Sequence, residues 1–400
     1  MSIMDTPRAN RLHIGLFGRR NSGKSSLINA ITGQSVATVS PVAGTTTDLV
    51  YKAIELRSIG AVVFIDTAGF DDEGELGALR VEKTIDALKM VDIALVLFND
   101  SDITLELEWV KKLRQNKTPV VAVVSKTDTL ADGGKALAAK VAKETGLTPV
   151  FSSSTHKIGL DELERELIRK LPEDFAETSI IGNLAAKGDV VLLVMPQDIE
   201  APKGRLILPQ VQTLRELLDK KCHVMSCSTD ELAGTLKDLK NPPRLIITDS
   251  QAFRAVHALT PKESLLTSFS ILFARYKGDI DYFIQSAHKL GTLRENAHIV
   301  IAEACTHRPL SEDIGRVKLP KLLRKKLGDR LNIEVVAGRN FPKDLSGVDF
   351  VIHCGACMFN RKYVLSRVAE CRAAGVPMSN YGVTIAYLLG ILDNVTVPSE

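Results

Sequence analysis

The sequence predicts an α/β fold in which a doubly wound parallel sheet is followed by two smaller α/β units. Three observations carry this. The apolar run Leu12–Phe17 leads straight into Gly18-Arg-Arg-Asn-Ser-Gly23-Lys24-Ser25 and on into the helical stretch Ser25–Ile31, which is the strand, glycine loop and helix of a P-loop. Apolar runs at Ala61–Ile65, Ile93–Phe98, Val120–Val124 and Thr148–Phe151 then alternate with amphipathic helical stretches, the rhythm of parallel strands joined by crossovers. Beyond residue 178 the same rhythm continues in shorter pieces.

Size and composition set the frame. Four hundred residues exceed one ordinary core, so two or three domains are expected. A net charge of +3 gives no bulk electrostatic case for nucleic acid or an anionic membrane. No apolar run reaches transmembrane length and the N-terminus shows no signal-peptide core, so a cytoplasmic location is expected. In a reducing compartment the six cysteines are read as metal ligands where they are grouped, not as a disulfide framework.

Taken in order, the P-loop supplies the first chemistry. Its backbone N–H groups, through Asn21, Ser22 and Gly23, curl around phosphate oxygens; Lys24 reaches the outer phosphates, the Ser25 hydroxyl ligates magnesium, and Ser26 follows in the helix. The loop Pro41–Asp48 carries Thr46, placed to add a second magnesium ligand and to sense a γ-phosphate. Ala61–Ile65 ends in Asp66-Thr-Ala-Gly69: the acid holds magnesium through water and the Gly69 N–H meets the γ-phosphate. Val120–Val124 ends in Ser125-Lys126-Thr127-Asp128, where an Asp accepts from N1 and the 2-amino group of guanine, groups that adenine does not offer. The stem of Lys126 lies along the base, and Ser152 and Ser153 close the pocket after the last strand.

Leu171–Thr178 reads as a linker. The stretch from 178 to 262 holds strands at Asp189–Val194, Cys222–Ser226 and Arg244–Thr248 and helices near Val211–Lys220 and Thr229–Leu239. About 80 residues make a marginal core, which favours packing against a neighbouring unit or a second copy. Cys222 and Cys227 sit too far apart along a strand, on opposite faces, to share a metal.

In the last part, Ala297–Ala302 runs out into Glu303-Ala-Cys305-Thr-His307, and Val348–Ile352 runs out into His353-Cys354-Gly-Ala-Cys357. If both strands are parallel members of one sheet, Cys305, Cys354 and Cys357 converge at its carboxyl edge. Three thiolates suit zinc or an iron–sulfur cluster equally, with His307 or His353 available for a fourth position. Cys371 falls in the helical stretch Asn360–Ala374 and is read as core.

The nucleotide motifs resemble, in order and spacing, those of the Era-like and MnmE-like small GTPases, with two departures. Ser125 stands where Asn usually braces the P-loop, which implies modest guanine affinity, and Phe70 stands where Ras-like proteins carry a water-orienting Gln. In MnmE-like proteins an Asn at the place of Asn21 helps hold potassium against the phosphates, which implies potassium-stimulated hydrolysis here. The combination of these motifs with Cys305-x-His307 and His353-Cys354-x-x-Cys357, and with Ser379–Ile385, resembles the FeFe-hydrogenase maturation GTPases of the HydF family. That resemblance implies a GTP-binding domain at 1–175, a dimerisation domain at 178–262 and a cluster-binding domain at 263–400. It implies GTP, magnesium and potassium at the first site and a 4Fe-4S cluster on Cys305, Cys354 and Cys357. It also implies a homodimer that accepts a diiron precursor from radical-SAM maturases and delivers it to apo FeFe-hydrogenase, with no nucleic acid or membrane partner. The alternative is an Era- or MnmE-like GTPase acting on RNA, with a structural zinc site; its one basic candidate, Lys318–Lys326, reads as a solvated helix face.

Overall fold

The computed structural model describes residues 10–32, 50–56, 58–67, 69, 83–172, 179–196, 206–304, 314–338, 340–356 and 359–399. The chain divides into two compact units, Met1–Glu177 and Thr178–Glu400. In the first, β1 (Leu12–Phe17), β2 (Val50–Leu56), β3 (Gly60–Asp66), β4 (Ile93–Phe98), β5 (Val120–Val124) and β6 (Val150–Phe151) form one sheet in the order β2-β3-β1-β4-β5-β6. Every neighbouring pair is parallel except β2 with β3. Helices cover both faces of such a sheet, so β1, β4 and β5 are buried at every position and read as unbroken apolar runs. The sequence did not announce β2, whose residues mix buried and exposed positions at an antiparallel edge.

The strand order reverses at β1, which lies between β3 and β4. Open α/β sheets form their ligand crevice at the carboxyl end of such a switch point, and the P-loop leaves β1 there. The helix Lys24–Thr32 that follows buries Leu27 and Ile28 against the sheet. Phe17, the last residue of β1, stacks on Trp109 of the helix Thr104–Gln115, with ring centroids 5.7 Å apart.

The second unit holds two parallel sheets. β7 (Val190–Val194), β8 (His223–Cys227), β9 (Leu245–Thr248) and β10 (Leu265–Ser268) are ordered β10-β9-β7-β8; β11 (His298–Glu303), β12 (Asn332–Ala337), β13 (Phe350–His353) and β14 (Met378–Asn380) are ordered β12-β11-β13-β14. The middle sheet therefore runs past residue 262, where its end was expected. The helix Phe269–Lys277 explains why these sheets form one unit. Its Phe269, Leu272 and Phe273 pack into the core of β7 and β9, while Ile271 and Ala274 pack into the core of β11 and β13. No residue of this helix is exposed, so it has no solvent side to spare.

Cys222 and Cys227 lie in separate apolar clusters on the two faces of the middle sheet, as their spacing required. Cys371 is fully buried, and burial pushes its thiol up to about 12. The segment Ser379–Ile385 is built into the scaffold: Asn380 caps the helix Tyr381–Leu388 by accepting from Val383 N and donates its amide to Ser270 O at 3.1 Å. Among the described residues no helix is long and apolar enough to cross a membrane.

Gly159 closes the turn after β6 at φ +79°, and a Cβ there would lie 1.7 Å from Phe151 O. Replacing it with Ala should cost the first unit at least about 2 kcal/mol, because both the conformation and the space forbid a side chain. Trp109 is the chain's single tryptophan and lies in that unit, so its fluorescence during urea unfolding reads the effect directly. An unchanged midpoint would show that the turn can rearrange.

Candidate functional site

The P-loop is shaped by crowding at its base. Gly18 has no room for a side chain, since a Cβ would sit 2.6 Å from Ser22 Oγ and 3.2 Å from Leu97 O. Asn21, exposed at the loop's tip, takes φ +55°, a left-handed conformation that Asn tolerates better than most residues. Lys24 is buried, and its Nζ donates to Gly18 O at 2.9 Å and Arg19 O at 2.8 Å, which centres the ammonium within the loop. Ser25 Oγ donates to Asp66 Oδ2 at 2.6 Å. A hydroxyl and a carboxylate from residues 41 apart thus converge beside the loop, the pairing that a hard divalent cation requires. Gly69 is buried close by in sequence; Thr46 and Phe70 lie outside the described residues.

The base-reading segment is assembled through serines. Ser125, buried, donates to Ser22 O at 2.7 Å, so the brace that the missing Asn put in doubt is present, made by a hydroxyl. Lys126 takes φ +55° and lays its stem over Gly23, within 4 Å of where a Cβ would stand. Asp128 accepts from Ser153 Oγ at 2.6 Å, and that bond is the first cause holding its carboxyl below the ordinary range. Ser152 is buried, its N–H on Val124 O and its carbonyl receiving Thr127 N–H, which joins the two strand ends into one surface.

One partnership was missed. Arg19 Nε donates to Glu106 Oε1 at 3.0 Å, and its terminal nitrogen donates to Asp102 Oδ2 at 3.0 Å, tying the P-loop to the helix Thr104–Gln115. Glu106 is almost fully buried; desolvation pushes its carboxyl up while the Arg19 bond pulls it down. The signal was available, because Glu106 shares an apolar helix stripe with Trp109, Val110 and Leu113, where an acid needs a partner. Lys52, on the unforeseen β2, is also buried; burial lowers its amine and the charge of Asp66 opposes that.

At the second cluster of expected ligands, β11 and β13 are adjacent and parallel, with Ala302 opposite His353. Both strands therefore end at the same carboxyl edge of the sheet. Cys354 N donates to Ala302 O at 2.9 Å, and the Cys354 sulfur accepts from Ala304 N at 2.9 Å and Ala356 N at 3.4 Å. Amide hydrogens aimed at a sulfur favour its thiolate, the form that binds metal. Cys305, His307 and Cys357 lie outside the described residues, and among the described ones no group of three metal-binding side chains forms.

His353 does not fit the ligand role expected of it. It is fully buried: its Nδ1–H donates to Cys354 O at 2.8 Å, and its Nε2 accepts from Arg367 at 2.7 Å. Both nitrogens are engaged, and burial followed by the Arg367 charge lowers the imidazole to about 3, which keeps it neutral. The basic helix Leu319–Leu327 buries Leu319 and Leu323 and turns Lys321, Arg324, Lys325 and Lys326 to solvent.

Comparison with known proteins follows these divisions. Residues 13–126 match the family described as 50S ribosome-binding GTPase. The tRNA modification GTPases MnmE of Lactobacillus delbrueckii subsp. bulgaricus and Burkholderia lata are 37% identical over 164 residues and 36% over 160, in each case 40% of this chain and 34% of theirs. The chain thus spans about a third of the length of these relatives. Among solved structures, Era of Aquifex aeolicus bound to GDP.AlF4- is similar at TM-score 0.37 and 19% identity, over 63% of this chain and 99% of that one. Residues 180–278 match the hydrogen maturase F dimerization domain and residues 281–398 its tetramerization domain. These two matches meet just after the helix Phe269–Lys277 and together span more than half of the sequence behind a P-loop GTPase domain; the chain belongs to the hydrogen maturase F family.

Proposed function

We propose that this chain is a GTP-hydrolysing scaffold that holds an iron–sulfur centre and carries a diiron precursor from radical-SAM maturases to apo FeFe-hydrogenase. The observation that carries the reading is the meeting of β11 and β13. The segment entering Cys305 and the loop bearing Cys354 leave one sheet edge side by side, in a chain that also holds a P-loop. Cys305, Cys354 and Cys357 would bind a 4Fe-4S cluster, which supplies an iron whose fourth position is open to exchange. His307 remains for that position; His353 serves instead to fix the Cys354 carbonyl.

At the nucleotide site, Lys24 and the P-loop amides hold the phosphates, Ser25 and Asp66 hold magnesium with Thr46, and Gly69 meets the γ-phosphate. Asp128, kept ionised by Ser153, selects guanine. Asn21, exposed and left-handed in the loop, would join potassium to the phosphates, a cation that would offset charge as water attacks the γ-phosphorus. Hydrolysis changes the loops holding Thr46 and Gly69 and thereby the contacts with partners. The domain matches support assembly into dimers and tetramers. The MnmE likeness favours a second reading, a GTPase acting on RNA with structural zinc.

The Ser125→Ala variant should bind GDP and GTP roughly tenfold more weakly, the worth of one buried hydrogen bond, as read by nucleotide titration. Equal affinity would mean that the brace is idle. In the same preparations, phosphate release should be faster in potassium than in sodium, a difference that Asn21→Ala removes. After anaerobic reconstitution with iron and sulfide, the wild type should show a reducible 4Fe-4S signal by EPR that Cys354→Ala largely loses. Tightly held zinc in place of a cluster would instead support the RNA reading.

A further inference from the structure

Two buried cations stand behind the Cys354 loop, and they come from different helices. Lys277, the last residue of the helix Phe269–Lys277, is 2% exposed, and its Nζ donates to Ala356 O at 2.9 Å and Phe359 O at 2.8 Å. Arg367, on the helix Arg361–Ala373, is 1% exposed and donates to His353 Nε2 at 2.7 Å and Gly338 O at 2.8 Å. A guanidinium has only donors, so His353 Nε2 is the acceptor and the ring proton sits on Nδ1, facing Cys354 O. Arg367 therefore reaches the cysteine's carbonyl through the imidazole. The space between Lys277, His353 and the loop amounts to about 10 Å³, too little for more than one water, so these contacts are direct.

Burying an ammonium and a guanidinium is costly, and the fold offsets that cost by identifiable means. Lys277 sits at a helix C-terminus, the negative end of the backbone dipole. Arg367 lies 4.7 to 4.9 Å from the ring centroids of Phe341, Phe359 and Tyr363. Ala356 O, Phe359 O, Gly338 O and His353 Nε2, which accept from the two cations, are all neutral groups. Ala356 joins the two sides: its N–H meets Cys354 Sγ at 3.4 Å and its carbonyl accepts from Lys277, while Ala304 N also meets that sulfur. Ala356 is itself held at φ +52°, a conformation that persists in Ala only where its surroundings impose it.

We propose that Lys277 and Arg367 are positioning residues of the cysteine site, which pin the loop by its carbonyls and place two fixed positive charges behind an anionic thiolate-bound centre. The charge part rests on the cluster reading given above; the pinning part does not. Positive charge near a cluster favours its reduced, more negative state and so raises its reduction potential.

The test uses the full chain carrying Lys277→Met, Arg367→Met or Arg367→Lys. In metal-free protein, amide hydrogen exchange in peptides covering 350–356 should accelerate at least tenfold in both Met variants, with peptides of the first unit unchanged as the internal reference. After reconstitution, each Met variant should shift the cluster toward its oxidised form about tenfold at a fixed poise, or 59 mV lower for one electron, whereas Arg367→Lys, which keeps the charge, should stay near wild type. Exchange and potential both equal to wild type would overturn the proposal; faster exchange with an unmoved potential would overturn its charge part. If the wild type takes up no cluster, the cluster reading fails while the exchange experiment still decides the pinning. If a Met variant does not fold, Lys277→Gln and Arg367→Gln carry the same exchange comparison.

Discussion

Parallel strands buried on both faces can meet a ligand only where the chain leaves the sheet, and both candidate sites occupy such exits. β1 is buried along its whole length and opens into the P-loop; β13 is buried along its whole length and opens into Cys354. At the first exit the carbonyls of Gly18 and Arg19 receive the Lys24 ammonium, and at the second the amide hydrogens of Ala304 and Ala356 meet a sulfur. Helix-covered sheets thus place both loops at strand exits, on different scaffolds.

The charges at these exits are handled in contrasting ways. Arg19 behind the P-loop is matched by Glu106 and Asp102, so the helix Thr104–Gln115 takes up its charge. Behind the cysteine loop, Lys277 and Arg367 bond carbonyls and an imidazole that is kept neutral. The first cation is neutralised by carboxylates, whereas the carbonyl and imidazole acceptors around the second pair carry no charge.

What the sequence made legible follows from distance along the chain. β1, β4 and β5 were bounded correctly because an unbroken apolar run is a local signal. β2 and β12 escaped notice as half-exposed edge strands, and β14 because it is three residues long. The expected boundary at 262 fell short because the helix Phe269–Lys277 serves two cores, which no local pattern reveals. Within the sites, residue types and order were readable. Partners such as Ser125 with Ser22, 103 residues apart, or Arg367 with His353 depend on packing. Ser125 looked like a loss because Asn is the familiar brace, yet a hydroxyl at a buried position reaches the same carbonyl.

The decisive measurement is the activation of apo FeFe-hydrogenase in vitro. Protein isolated with the radical-SAM maturases, then freed of them, should switch on hydrogen evolution when mixed with the apo-enzyme, and Cys354→Ala prepared in the same way should not. Hydrogen evolution that appears equally with the variant, or that needs the maturases but not this chain, would contradict a carrier whose cargo site is built on the loop after β13.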